Sequence, residues 1–318
     1  MLTLLQFLII LTLRMKNNLH FIFFSICLLF AGASGAQEFN NQFKLLITSN
    51  DTAAQRKLLG EWESKSPNDA DLIMAWFNYY AGKSKKVSSN LAENPKNKST
   101  FSIHDVSDKS QSAVQYRNEY DVALLSRAYA CIDKGISTYP SRLDMRFAKI
   151  YYLGETKDFK SYTDAILATV AQSKTIRNTW LWTGDVPQAG AKDFLLTTVQ
   201  EYIMLLYNQS NSSKNERYEE IRKISEKVLS CYPQNVESMN NLALLFLLQK
   251  KHKKAIPLLQ DAEKLAPDDF VVLNNLAQAY KRKGDKTKAI AYFEKVVKFG
   301  DAETTEFAKK ELLELKKN

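Results

Sequence analysis

The chain has 318 residues, 45% of them hydrophobic, with only 10 glycines and 7 prolines. That is enough apolar content for a sizeable core and too little glycine and proline for a sheet-rich or collagen-like protein. The formal charge of +9 falls to about +7 once the leader cations Arg14 and Lys16 are set aside, too mild a surplus to argue for nucleic-acid binding.

Residues 1–36 hold two short apolar runs, Leu2–Leu13 and Phe21–Ala31, separated by Arg14-Met15-Lys16-Asn17-Asn18. Neither run is long enough to span a bilayer comfortably. From Met15 onward a basic start, an apolar run and Gly32-Ala33-Ser34-Gly35-Ala36 follow the layout of a secretory signal peptide. This predicts a start at Met15, cleavage after Ala36 and a periplasmic or secreted chain; the alternative is an uncleaved N-terminal membrane anchor. The leader, ending in Ala-Gln, resembles those of exported proteins of the Bacteroidota. After cleavage only Cys131 and Cys231 remain, a hundred residues apart, and two buried, unpaired thiols are expected.

Residues 37–172 read as degenerate helical hairpins. Glu38–Thr48 is a first helix, and Asp51 caps a second that carries Leu58, Leu59 and Trp62 and stops at Ser66-Pro67. Ala70–Tyr80 has Ile73, Trp76, Phe77 and Tyr80 at helical spacing. Its partner is delayed by a polar insertion at about 83–116, rich in Ser, Lys and Asn, which is expected to be a long loop. The partner then arrives as Asp121–Thr138, with Gly135 as a small contact. Leu143–Leu153 and Tyr162–Gln172 are expected to pair next.

Residues 173–192 break the rhythm with Trp180-Leu181-Trp182 and Gly184-Asp185-Val186-Pro187, an irregular joint. Phe194–Tyr207 and Tyr218–Tyr232 resume the helical pattern within a second run of hairpins, residues 193–301. The clearest stretch comes last, at 234–267 and 268–301. Met239-x-x-Leu242-Ala243-x-x-Phe246 leads to Ala255-x-x-x-Leu259 and Pro267; thirty-four residues on, Leu273-x-x-Leu276-Ala277-x-x-Tyr280 leads to Ala289-x-x-x-Phe293, with Asp301 in the proline's place. Each copy holds two helical stripes, and the small alanines let the two helices approach closely. Gly284-Asp285 marks a turn in the second copy; the first has Lys250-Lys251 there. Residues 302–318, with Ala308, Leu312 and Leu315, make a helix to cover the open end.

These two copies resemble the tetratricopeptide repeat in pattern and length. The resemblance implies an all-α, right-handed solenoid of antiparallel helical hairpins (TPR-like) closed by a C-terminal capping helix. It also implies a non-enzymatic scaffold whose first helices line a concave groove for a peptide or partner helix. The matching positions are Asn240, Leu244, Asn274, Gln278, Lys281 and Arg282. Amides can pair both donor and acceptor of a peptide backbone, and the two cations can hold a carboxylate. The competing reading makes the same row a solvated face, with Asn241 and Asn275 tying helix to helix.

Catalytic signatures are missing. His104 and His252 stand in no metal-binding frame, and no phosphate-cradling glycine loop or nucleophile elbow occurs, so no catalytic residue, metal or cofactor is expected. The partner is expected to be another protein or a peptide, not nucleic acid. Lysines at 250, 251, 253 and 254 and again at 281, 283, 286 and 288 form a basic edge, either solubilising or open to acidic partners and a membrane surface. Trp180 and Trp182 form either a stacking platform for a glycan or an aromatic plug in the joint.

Overall fold

The structure, a computed structural model, describes residues 35–93, 100–103, 112–210 and 217–317. These divide into two compact units: residues 35–158 with Thr179–Ala189, and Phe159–Asn178 with residues 190–317. Both are built of antiparallel helices packed in chain order, the all-α helical-repeat architecture that the spacing predicts.

The first unit contains α1 (Gly35–Thr48), α2 (Thr52–Lys65), α3 (Ala70–Ser84), α4 (Val122–Thr138) and α5 (Leu143–Glu155). Phe43, Leu59, Trp62, Leu72 and Tyr79 form one core cluster; Ala70, Phe77, Ala81, Ala128, Ile132 and Met145 form the next. Helices α3 and α4 pair as the split hairpin predicted for them. Gly135 is the contact that makes this possible, since a Cβ there would lie 2.9 Å from both Ile73 Cγ2 and Met145 Sδ.

The insertion between α3 and α4 is not the long loop its composition implies. It forms β1 (Lys85–Glu93), β2 (Thr100–Ile103) and β3 (Ser112–Tyr120), an antiparallel sheet in the order β1-β3-β2. The backbone makes the ladder, so a polar composition does not forbid it. Lys85 pairs with Tyr120 at its base, and Asp121 N donates to Ser84 O at 2.8 Å, so the sheet closes where the helical hairpin begins.

The irregular joint also has structure. β4 (Leu181–Trp182) and β5 (Val186–Pro187) flank a tight turn at Thr183–Asp185, in which Gly184 and Asp185 take φ of 75 and 54. Leu181 N donates to Ser141 O at 2.8 Å, fixing the joint beside the start of α5. Helix α6 (Phe159–Thr175), the expected partner of α5, belongs to the second unit and packs on α8 (Tyr218–Cys231).

The second unit continues through α7 (Ala191–Gln209), α9 (Val236–Leu248), α10 (His252–Leu265), α11 (Phe270–Lys283), α12 (Lys286–Phe299) and α13 (Ala302–Lys317). Ala243, Ala255, Leu259, Leu276 and Ala289 share one core, and Leu273, Ala277, Phe293, Val296 and Ala308 share the next. Leu312 and Leu315 of α13 pack on the latter, so this helix caps the stack as expected.

Two turn types recur. After α1, α5, α9 and α11 the chain passes through a left-handed residue, Asn50, Lys157, Lys250 or Gly284, with φ of 55, 59, 59 and 85. The next amide reaches back five residues each time: Asp51 to Leu46, Asp158 to Leu153, Lys251 to Phe246 and Asp285 to Tyr280. This is the Schellman arrangement, which satisfies the last helical carbonyls. The second type follows α2, α4, α8 and α10, where a proline (Pro67, Pro140, Pro233 or Pro267) succeeds the residue that ends the helix, and the next helix starts three residues on.

The predicted leader, residues 1–36, lies outside the described residues except for Gly35 and Ala36, which begin α1; the expected cleavage point falls in that helix's first turn. No helix among the described residues is long and apolar enough to cross a membrane. His104 also lies outside them. Cys131 and Cys231 are free thiols, but half-buried instead of fully buried, and burial pushes the Cys131 thiol up.

Candidate groove and buried charge cluster

The residues assigned to the groove lie on α9 and α11. Both helices begin at an Asn or Asp that follows a proline turn: Asn235 Oδ1 accepts from Ser238 N at 2.9 Å, and Asp269 Oδ1 from Val271 N and Val272 N at 2.9 and 3.3 Å. These caps fix the helix starts and so set which side chains share a face.

A row of amides then crosses from helix to helix. Asn241 Nδ2 donates to Gln200 Oε1 of α7 at 2.8 Å, and Asn275 Nδ2 donates to Asn240 Oδ1 at 2.7 Å. Asn241 and Asn275 therefore tie the helices together, and Asn240 takes part in the tie. Asn240, Leu244, Asn274 and Gln278 are all buried. The Oδ1 atoms of Asn241 and Asn274 have no hydrogen-bond partner among the described residues, and Asn274 is only 2% exposed.

At the end of α11 the two cations differ. Lys281 Nζ lies 2.5 Å from Glu311 and 3.7 Å from Glu314, both on the capping helix, while Arg282 is exposed. Glu311 is 3% exposed, so its pairing with Lys281 anchors α13. The basic edge lies beside this row. Lys254 sits over the Phe246 ring and Lys288 over Tyr280, so part of its charge is spent on aromatic faces. His252 is held below its ordinary value, first by burial and then by Arg282.

Trp180 and Trp182 stand in the first unit. Trp180 is 1% exposed, the position of a core plug, and Arg146 stacks on it with Cζ 5.5 Å from the ring centroid. Trp182 is half-buried and meets Phe147 edge-on at 6.2 Å. A sugar platform made of both rings is not formed.

Sequence reasoning missed the most connected side chain of this unit. Arg142 is 1% exposed and pairs with Asp144 through Nε (2.9 Å) and Nη2 (2.8 Å), with Asp71 at 2.6 Å and with Asp185 at 3.2 Å. Asp71 also accepts from Gly184 N at 3.0 Å and from Asn40 Nδ2 at 3.1 Å, and Thr183 Oγ1 donates to Asp144 at 3.0 Å. Burial pulls Arg142 down, but Asp144 and Asp71 outweigh it and hold the guanidinium firmly charged. One signal was present: Arg142 occupies the helix-start position where Asp69, Asn235 and Asp269 stand after the other proline turns. Among the described residues no group of three or more His, Cys, Asp or Glu could hold a metal ion.

The tetratricopeptide repeat family model matches residues 236–269 and 271–299, the stretch spanning α9 to α12. Among solved structures, the chain is similar to the crystal structure of the P58(IPK) TPR domain at 12% identity and a TM-score of 0.30, covering 89% of this chain and 65% of that one. It thus spans just under two thirds of that domain's length. No curated protein matches the chain. Residues 236–299 are therefore a pair of tetratricopeptide repeats, set in a longer series of helical hairpins.

Proposed function

We propose that this chain is a non-enzymatic protein-binding scaffold of the periplasm or cell envelope, holding a peptide or partner helix along α9 and α11. The repeats supply the interaction fold. The observation that carries the reading is the amide row ending in Asn241 Oδ1 and Asn274 Oδ1, two buried acceptors left without donors. Each such orphan costs about 1–3 kcal/mol. Two backbone N–H groups of a bound peptide would relieve them, one for each acceptor. Arg282 is exposed beside the row, on the side where a partner's carboxylate could approach, and Lys281 is engaged by Glu311 and Glu314.

The test is crosslinked capture from the native envelope, comparing the wild type with the double variant Asn274→Ala, Arg282→Ala. A specific protein lost in the variant, with Tm not lowered, supports the groove. Equal recovery by both proteins counts against it, and retention of glycan alone would move the binding site elsewhere. Mass measurement of the exported chain tests the leader, with Gln37 the expected first residue.

A further inference from the structure

Helix α5 starts differently from its equivalents. After Pro67, Pro233 and Pro267 the residue at the helix start accepts from first-turn amides through its side chain: Asp69 from Asp71 N, Asn235 from Ser238 N and Asp269 from Val271 N. After Pro140 that residue is Arg142, and no side chain caps α5 among the described residues. Its guanidinium is turned into the aspartate cluster instead. The first-turn amides of α5 thus lack the side-chain cap their equivalents have, and the nearest carboxylate, Asp144 in that turn, is engaged by Arg142 and Thr183.

A second cation is buried at the same end. Arg146 is 8% exposed, and its side chain reaches back so that Nη2 donates to Pro140 O at 3.3 Å, just ahead of the helix start. Trp180 holds the plane of the guanidinium from one side. Nε has no hydrogen-bond partner among the described residues. Burial pulls Arg146 down to about 10, with no carboxylate opposing the shift, so the group remains charged at neutral pH. Arg142 and Arg146 are one helical turn apart, yet the first has three carboxylates around it and the second has none in ion-pair reach among the described residues. A buried cation beside an uncapped helix N-terminus is unfavourable unless an anion completes it.

We propose that the N-terminal end of α5 is a binding site for a single carboxylate, with Arg146 as its counter-charge and Trp180 as its wall. One cation and a partial dipole charge suit a monoanion. A doubly charged phosphate would be repelled about twice as strongly as a carboxylate by Asp144 in the same turn and by the Pro140 carbonyl. The carboxylate comes either from a small organic acid or from the end of a bound peptide. This site does not depend on the α9–α11 groove.

The experiment uses the full chain and acetate as the probe, with ionic strength held constant by a bulky sulfonate buffer, and reads Tm and tryptophan emission. The wild type should show a saturable Tm rise of a few degrees. Arg146→Met should show none, and should melt no lower than the wild type when acetate is absent. Arg146→Lys, which keeps the charge but loses the planar fork, should keep a weaker response and decides the matter if the Met variant does not fold. Equal responses in wild type and variants would overturn the proposal, as would an equal loss of Tm by Arg146→Met in both buffers, which would make the guanidinium a mere prop for Trp180. A second arm compares one peptide with free and amidated C-termini by fluorescence anisotropy. Binding about tenfold tighter for the free acid, lost in Arg146→Met, identifies a partner's chain end as the source. An acetate response without that discrimination identifies a small acid.

Discussion

The repeats at 236–299 and the unit closed by residues 179–189 reach ordered cores by different means. In the repeats, Ala243, Ala255, Ala277 and Ala289 let helices approach, bulky residues at fixed spacing fill the gap, and buried neutral amide pairs tie one helix to the next. In the other unit an arginine with three aspartates joins residues far apart in sequence, and an aromatic side chain plugs the joint. Apolar packing degrades gradually when disturbed, because neighbours relax. A buried charge cluster does not, since removing one member leaves the others uncompensated.

Replacing Arg142 by Met is the largest test of that difference. It strands the buried Asp71 and Asp144 and should cost about 3–5 kcal/mol in urea unfolding. The loss should appear as local opening of residues 179–189 in hydrogen exchange, with α9 to α12 still protected. Ala277→Leu is the matching insult to the repeats. Overpacking against Phe293 should cost about 1–3 kcal/mol, and the same exchange experiment should show it confined to the second unit.

Lys250→Gly sharpens the comparison within the repeats. Lys250 takes a φ of 59 where its counterpart Gly284 takes 85. A side chain in that region costs roughly 1–2 kcal/mol, so glycine should raise stability by about 1 kcal/mol once its greater unfolded-state freedom is counted. The smallest effect belongs to His252. Its folded value is depressed, so the unfolded chain takes up the proton first as pH falls. Stability is full above the ordinary value near 6.5 and declines as pH drops through it. His252→Gln should remove this decline in urea midpoints measured between pH 7 and pH 5.

What could be read from the sequence follows the same division. Ala243 and Ala277, the proline turns, the split pairing of α3 with α4 and the capping helix were legible because each is a local pattern repeated at helical spacing. The left-handed turns at Asn50, Lys157 and Lys250 were harder, since only Gly284 advertises that conformation by residue type. The sheet at 85–120 was missed because polar strands carry little composition signal. Arg142 was missed because its partners lie at Asp71 and Asp185, and no spacing rule connects them. For the groove, Asn241 and Asn275 were legible as ties between helices, but the engagement of Lys281 by Glu311 needed the packing of α13.

The bond from Gly184 N to Asp71 spans 113 residues of chain. On a ribosome that separation becomes a delay. Helices α1 to α5 can form and pair as they emerge, but Asp71 cannot meet Gly184 until the joint has been synthesised and released from the exit tunnel. Until then Arg142 has lost one of its three partners, Asp185, and Asp71 has lost a donor. The pair of repeats has no such wait: its ties reach 41 and 35 residues back, to Gln200 and Asn240, both already made. The N-terminal unit is thus synthesised first but completed late, and until Trp180 arrives the Arg146 guanidinium lacks the ring it stacks on.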